Sequence, residues 1–208
     1  NLTKMVKSPE QLSDFVVQPI VFVLLFVFLF GGAIAGDWRD YLQYVIPGIM
    51  VQTALMGTMW TGVNLNTDIQ TGIFDRFRSL PVARSAPLTG AVLGDMIRFL
   101  IGTVVILAVG MALGFRPQGN PLRVPLAMLL VLAMAFALCW MSALFGVLAK
   151  SPGSVGGFAF LGIMPLTFAS SAFVEPATMP SFLRAFVRNN PVSQLSDGVR
   201  ALLLDQAA

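Results

Sequence analysis

The sequence predicts an all-α fold, a polytopic transmembrane helical bundle. Three observations carry that prediction: an apolar composition, continuous apolar runs of about twenty residues, and short charged breaks between the runs. Hydrophobic residues make up 56% of the 208-residue chain against 11% charged, and the mean hydropathy is +0.80. A soluble domain of this size needs far more charge to cover its surface. A bilayer core about 30 Å thick is crossed by about 20 helical residues rising 1.5 Å each. Outer-membrane strands would instead show alternation over segments of about ten residues.

The chain reads as one membrane domain over residues 1–208, with no boundary, long linker or internal repeat. Residues 1–14 form an amphipathic elbow on the cytoplasmic side, with Leu2, Met5 and Val6 apolar and Lys4 and Lys7 near lipid phosphates. It serves equally well as a contact for a soluble partner or as a membrane-surface anchor. Ser8, Pro9 and Gln11 supply a helix cap, an N1 proline and an N3 glutamine. The first span, 15–35, resembles a secretory signal in its upstream lysines and its Ala33-Ile34-Ala35 ending, but the well-capped start favours a permanent span. Four more spans follow at 44–63, 97–115, 125–149 and 155–173. Residues 174–204 then read as short extracytoplasmic helices. Phe182, Leu183, Phe186 and Val187 mark an interfacial one, Asn189-Asn190-Pro191 breaks it, and Val192, Leu195, Val199 and Leu202 restart a helical period.

Between the second and third spans, residues 68–84 carry a charged amphipathic segment. Ile73, Phe74, Phe77 and Leu80 recur at helical spacing, Asp75, Arg76, Arg78 and Ser79 take the opposite side, and Pro81 stops the helix. Lys4, Lys7, Arg76, Arg78, Arg84 and Arg98 fall in the N-terminal segment and this loop, against Arg39, Arg116 and Arg123 in the loops after spans one and three. That bias places the segment in the cytoplasm, although Arg184, Arg188 and Arg200 dilute it.

The chemistry for catalysis is thin. There is no histidine, the single Cys139 lies inside the fourth span as a packing residue, and no acidic residue is expected in the middle of a span. A nucleophile with its base, a metal cluster or an ion-coupled carboxylate relay is hard to assemble from such a set. No phosphate-binding G-x-x-x-x-G-K-[ST] loop occurs, so ATP, if used, is bound by another polypeptide. A net charge of +3 suits cytoplasmic loops beside anionic lipid, and no nucleic-acid surface is expected.

The order of KSPEQLSDFVVQPIVF, a span ending FLFGGAI, TDIQTGIFDRFRSLPVARSAPLTGAVLGDMIR and NNPVSQLSDGVRALLL resembles the type-2 ABC exporter permeases. Within them it is most similar to the bacterial daunorubicin-resistance-type drug-export permeases. The resemblance covers almost the whole chain, and GIFDRFRSLPVAR is its most specific part. It implies a six-helix permease that pairs with a second permease, as a homodimer or heterodimer, in the bacterial inner membrane. It also implies a coupling helix docked on a cytoplasmic ABC ATPase that binds ATP and magnesium. On this reading a sixth span and a native start are expected outside the sequence, since only Ala201–Leu204 hints at another apolar run.

The expected coupling residues are Ile73, Phe74 and Phe77, with Leu80, in an apolar cleft of the ATPase, and Asp75, Arg76 and Arg78 setting register by charge. The competing reading is a helix lying on lipid. Gln18, Gln52, Thr53, Asn64, Ser170 and Ser171 are candidate substrate-path residues, although polar groups in spans equally tie helices together. Gly110 and Gly114 fit a small-xxx-small helix contact. The function expected is a permease subunit of an ATP-driven exporter of a hydrophobic or amphipathic small molecule or lipid, with no catalytic or metal site of its own. A membrane scaffold for a soluble complex is the alternative, and an ion-coupled secondary transporter a weaker one.

Overall fold

The helix Trp38–Gln70 is the axis around which the other elements are arranged. The computed structural model describes residues 9–73, 86–118 and 120–204, and among them there is no strand, as the all-α expectation requires. Helix α1 (Pro9–Leu25) runs through a π-helical turn (Phe26–Phe30) into α2 (Gly31–Ala35). Helices α3 (Trp38–Gln70), α4 (Ala86–Leu113), α5 (Arg123–Leu148) and α6 (Pro152–Phe168) follow. A 3₁₀ turn (Pro176–Thr178) leads to α7 (Ser181–Asn189) and α8 (Pro191–Leu204). Of the expected elbow, residues 1–8 lie outside the described residues, and the rest opens α1.

Helix α3 starts where the Asp37 carboxylate accepts from the Arg39 N–H at 3.0 Å, an N-cap. Every residue from Val45 to Gln52 is buried, so this stretch is enclosed on all sides, chiefly by α4, α5, α6 and α8. The surrounding helices show the opposite pattern. Leu100, Val104 and Met111 on α4, and Leu129, Phe136, Leu144 and Leu148 on α5, present large apolar side chains outward. Pro87–Leu113 and Arg123–Leu148 are each long and apolar enough to cross a membrane, while Val16–Phe30 and Pro152–Phe168 are shorter apolar helices.

Side-chain contacts fix the register. Thr61 meets Cys139, Gly62 meets Ser142, Asn66 meets Gly146 and Gln70 meets Lys150, so α3 and α5 run parallel. Ile46 meets Gly110 and Thr61 meets Asp95, so α3 and α4 run antiparallel. The face α5 turns inward consists of Ala127, Val131, Ala135, Cys139, Ala143 and Gly146, a nearly four-residue repeat of small side chains. It ends in a direct backbone contact. A Cβ on Gly146 would lie 2.6 Å from the Gly62 carbonyl oxygen, and one on Gly62 would strike the Ser142 carbonyl. The Gly62 N–H also donates to the Ser142 hydroxyl at 3.0 Å.

The helix that holds the expected third span, 97–115, begins at Ala86, so Asp95 and Arg98 lie within it. The mutually paired Asp95 and Arg98 continue the helix at spacing i,i+3. The same helix stops at Leu113, not Phe115. Gly114 adopts φ +108°, its N–H donates to the Met111 carbonyl, and the Phe115 N–H donates to the Gly110 carbonyl at 2.8 Å, the paired bonds of a Schellman end. Gly110 faces Ile46 of α3, so this half of the small-xxx-small pair makes a contact within the chain.

Gly62→Ala is therefore expected to lower stability by about 1–3 kcal/mol, the range for overpacking a filled contact. Gly90→Ala, whose added Cβ would meet nothing within 4 Å, should be neutral or stabilising by helix propensity. Thermal unfolding of the two variants in detergent micelles checks the contrast.

Candidate functional site

Two places concentrate polar groups against apolar helices: the end of α3 that leads into residues 74–85, and a cavity between α1, α3 and α4. At the α3 end, the Asn66 Nδ2 donates to the carbonyls of Gly146 and Ala149, both at 2.8 Å. Gln70 lies one turn on, and its Nε2 donates to the Asn66 Oδ1 at 3.1 Å and to the Lys150 carbonyl at 2.7 Å. These carbonyls belong to the last turn of α5 and the residues after it, where the helix has no partner of its own for them. One pair of carboxamides thus holds the α5–α6 connection to the base of α3. Beyond it, Thr71 bonds back to the Thr67 carbonyl and Gly72 takes φ +72°, which ends the helix. Ile73 is exposed, while Phe74, Asp75, Arg76, Phe77, Arg78 and Leu80 lie outside the described residues.

The cavity has a volume of about 100 Å³. Gln18, Pro19 and Phe22 of α1 form one wall, Gln52, Thr53 and Trp60 of α3 another, and Arg98, Phe99 and Thr103 of α4 the third. Arg98 is held there by its ion pair with Asp95 (Nη1 to Oδ1, 2.9 Å), and Asp95 accepts from the Thr61 hydroxyl through Oδ2 at 2.8 Å. Thr61 also meets the Cys139 sulfur at 3.4 Å, so α3, α4 and α5 converge at this carboxylate. The Thr103 hydroxyl donates to the Phe99 carbonyl at 2.7 Å. Gln52 is only 4% exposed, and its Oε1 has no hydrogen-bond partner among the described residues.

The structure brings Gln18, Gln52 and Thr53 together on this cavity and leaves the other candidate path residues elsewhere. Asn64 is exposed on α3 away from it. Ser170 and Ser171 are buried in the turn after α6. There the Ser171 N–H donates to the Ser193 hydroxyl at 3.1 Å and its own hydroxyl donates to the Asp197 carboxylate at 2.8 Å. Arg200 completes this cluster. It pairs with Asp197 at 2.6 Å, donates to the Ser171 carbonyl at 3.0 Å and sits 3.9 Å over the Tyr44 ring, whose hydroxyl donates to the same Ser171 carbonyl. Ser171 therefore anchors α8 to α3, while the Ser170 hydroxyl stays within its own turn, donating to the Thr167 carbonyl and accepting from the Ala172 N–H. Trp60, Arg98, Phe99 and Thr103 were not picked out as cavity residues from the sequence. The i,i+3 spacing of Asp95 and Arg98 is the sequence signal that could have placed Arg98, Phe99 and Thr103 on one helix.

The polar groups around the cavity are amides, hydroxyls and one internally neutralised ion pair, and among the described residues no cluster of three or more His, Cys, Asp or Glu could hold a metal. The family model of the ABC-2 type transporters matches residues 1–204. The chain is 43% identical over 195 residues to the daunorubicin resistance ABC transporter permease protein DrrB1 of Streptomyces coeruleorubidus, covering 94% of this chain and 69% of that protein. It is 29% identical to the doxorubicin resistance ABC transporter permease protein DrrB of Mycobacterium tuberculosis, covering 90% and 68%. It is 27% identical to the putative transport permease ycf38 of Cyanophora paradoxa, covering 94% and 69%. A helical chain with apolar outer faces, polar groups turned inward and a family match over nearly its whole length belongs to the ABC-2 type transporters, as the membrane permease subunit of an ABC transporter.

Proposed function

We propose that this permease works as the membrane half of an ATP-driven exporter in the bacterial plasma membrane, paired with a second permease and powered by a cytoplasmic ATPase that binds ATP and magnesium. Its cargo is a hydrophobic or amphipathic compound, a drug or a lipid; two of the relatives are named for resistance to daunorubicin and doxorubicin. One observation carries the reading: a single helix, α3, lines the cavity with Gln52, Thr53 and Trp60 and continues to the clamped base from which residues 74–80 emerge. Gln52 to Gln70 spans about 27 Å at 1.5 Å per residue, most of a bilayer core. Motion applied at the base reaches the cavity through one continuous element.

Residues Ile73 to Leu80 form the coupling helix in this reading, with Phe74 and Phe77 as its apolar anchors and the neighbouring charges setting its orientation on the ATPase. The N-terminal elbow and this segment face the cytoplasm, and α7 and α8 face the opposite side. The five apolar stretches containing α1–α2, α3, α4, α5 and α6 cross the membrane.

Phe77→Glu is expected to leave membrane insertion intact and to abolish ATP-driven export by the permease reconstituted with its ATPase in vesicles. Export that persists in this variant overturns the coupling assignment, and ATPase binding without any transport by the unsubstituted protein supports a scaffold instead. Asn66→Leu removes both donors to the end of α5 and should cost about 1–3 kcal/mol, because buried carbonyls lose their partner. The midpoint of thermal unfolding reports that loss.

A further inference from the structure

We propose that Gln70 is a positioning residue of the transport cycle: it carries motion that enters at residues 74–80 across from α3 to the α5–α6 connection, so that α3 and α6 move as one unit. The inference rests on the transport reading in taking residues 74–80 as the point of entry.

Chain connectivity alone would deliver that motion to two helices. Residues 74–85 join α3 to α4, whereas α5 and α6 start much later, at Arg123 and Pro152. Side chains at the base of α3 make the remaining link. Asn66, 2% exposed, donates to the carbonyls of Gly146 and Ala149 and so holds the end of α5. Gln70 reaches further. Its Nε2 donates to the carbonyl of Lys150, between α5 and α6, at 2.7 Å, and braces on the Asn66 Oδ1 at 3.1 Å. Gln70 is exposed, so water competes for both bonds and they add little to stability. What they fix is where the start of α6 lies relative to α3.

The far end of α6 is tied to the same helix. The Tyr44 hydroxyl donates to the Ser171 carbonyl at 2.7 Å and the Tyr41 hydroxyl to the Phe173 carbonyl at 3.1 Å. A Cβ on Gly48 would strike the Ala172 carbonyl, and Gly156 faces Val63 between the two ends. The helices therefore run antiparallel and are pinned at both ends, about 39 Å apart at 1.5 Å per residue from Tyr44 to Gln70. A helix pinned at one end pivots, and one pinned at both follows its neighbour. The far pins include the buried Tyr41 and Gly48, while the pin at Lys150 is one exposed side chain. Removing it frees α6 at the end nearest the input.

The test uses the complete permease with its ATPase in phosphatidylcholine nanodiscs. Spin labels are attached at Ile69→Cys on α3 and Gly157→Cys on α6, both exposed positions, in a Cys139→Ala background, with labelled permease diluted by unlabelled copies. Pulsed electron paramagnetic resonance reads their separation before and after trapping with ATP and vanadate. With Gln70 in place the separation should be the same in both states. Gln70→Met, close in length and without the donor, should keep the resting separation and the thermal midpoint but shift the trapped separation by about 5 Å, one helical turn of slip. Gln70→Arg restores donors and should hold the separation constant again. A residue that only finished α5 would leave the trapped separation unchanged when replaced. A separation that changes on trapping with Gln70 in place overturns the proposal, and so does one that stays constant in Gln70→Met. A lone label at Ile69 whose spectrum ignores trapping sinks the coupling assignment and this role with it. A responsive label at Ile69 together with either overturning result sinks the role of Gln70 alone.

Discussion

The contact on which the rest of the structure depends is the one at Gly62 and Gly146, where two helix backbones meet without side chains between them. Apolar side chains gain little by leaving lipid for a protein interior, so helices in a membrane are held by close packing and polar contacts more than by burial. The small-residue face of α5 permits that approach along its length, and the glycines set how far one helix can slide along the other. Once Gly62 is seated on Ser142, Thr61 is fixed beside Cys139 and Asp95, and Asn66 is fixed beneath the last turn of α5. The ion pair at the cavity and the clamp at the base of α3 are both consequences of that seating.

A second regularity follows from the same solvent. The end of a helix in or near lipid carries carbonyls that water does not reach, and in this chain carboxamide side chains supply the donors. Gln43 bridges the end of α4, donating to the Gly114 carbonyl and accepting from the Arg116 N–H. Asn66 and Gln70 serve α5. Asn190 serves α6, donating to the carbonyls of Leu166 and Ala169 at 2.7 Å while its own carbonyl oxygen caps Val192. Each clamp lies on an element other than the helix it finishes, so it both satisfies an end and fixes a neighbour.

Helical class and the approximate places of the long helices were legible because an apolar run of twenty residues permits little else. The start of α4 was not, since Asp95 and Arg98 announce a loop when counted as single charges and announce a helix only once they are seen to neutralise each other. Gln18, Gln52 and Thr53 were recognised as polar groups needing partners, yet nothing local distinguishes them from Ser170 and Ser171, which spend their hydrogen bonds on α8 and neighbouring turns. That difference is set by which helices touch, a property of the assembled fold. Gly62 and Gly146 stayed hidden for the same reason, because a contact between glycines 84 positions apart leaves no periodic trace in either helix.

The π-helical turn Phe26–Phe30 carries a consequence of its own. A wide turn accommodates an additional residue without lengthening the helix by a full step, and so shifts the angular phase of everything beyond it. Counting at 3.6 residues per turn from Gln18 and Phe22 on the cavity wall does not lead to the face that Gly31 presents to Trp38, where an added Cβ would lie 2.8 Å from the Trp38 Cα. Deleting one residue within Phe26–Phe30 would restore ordinary winding and swing Gly31 by about 100°. The bend into α3 could then close only if Gly31 gave up its place at Trp38. The first hairpin is thus defined by rotation as much as by length.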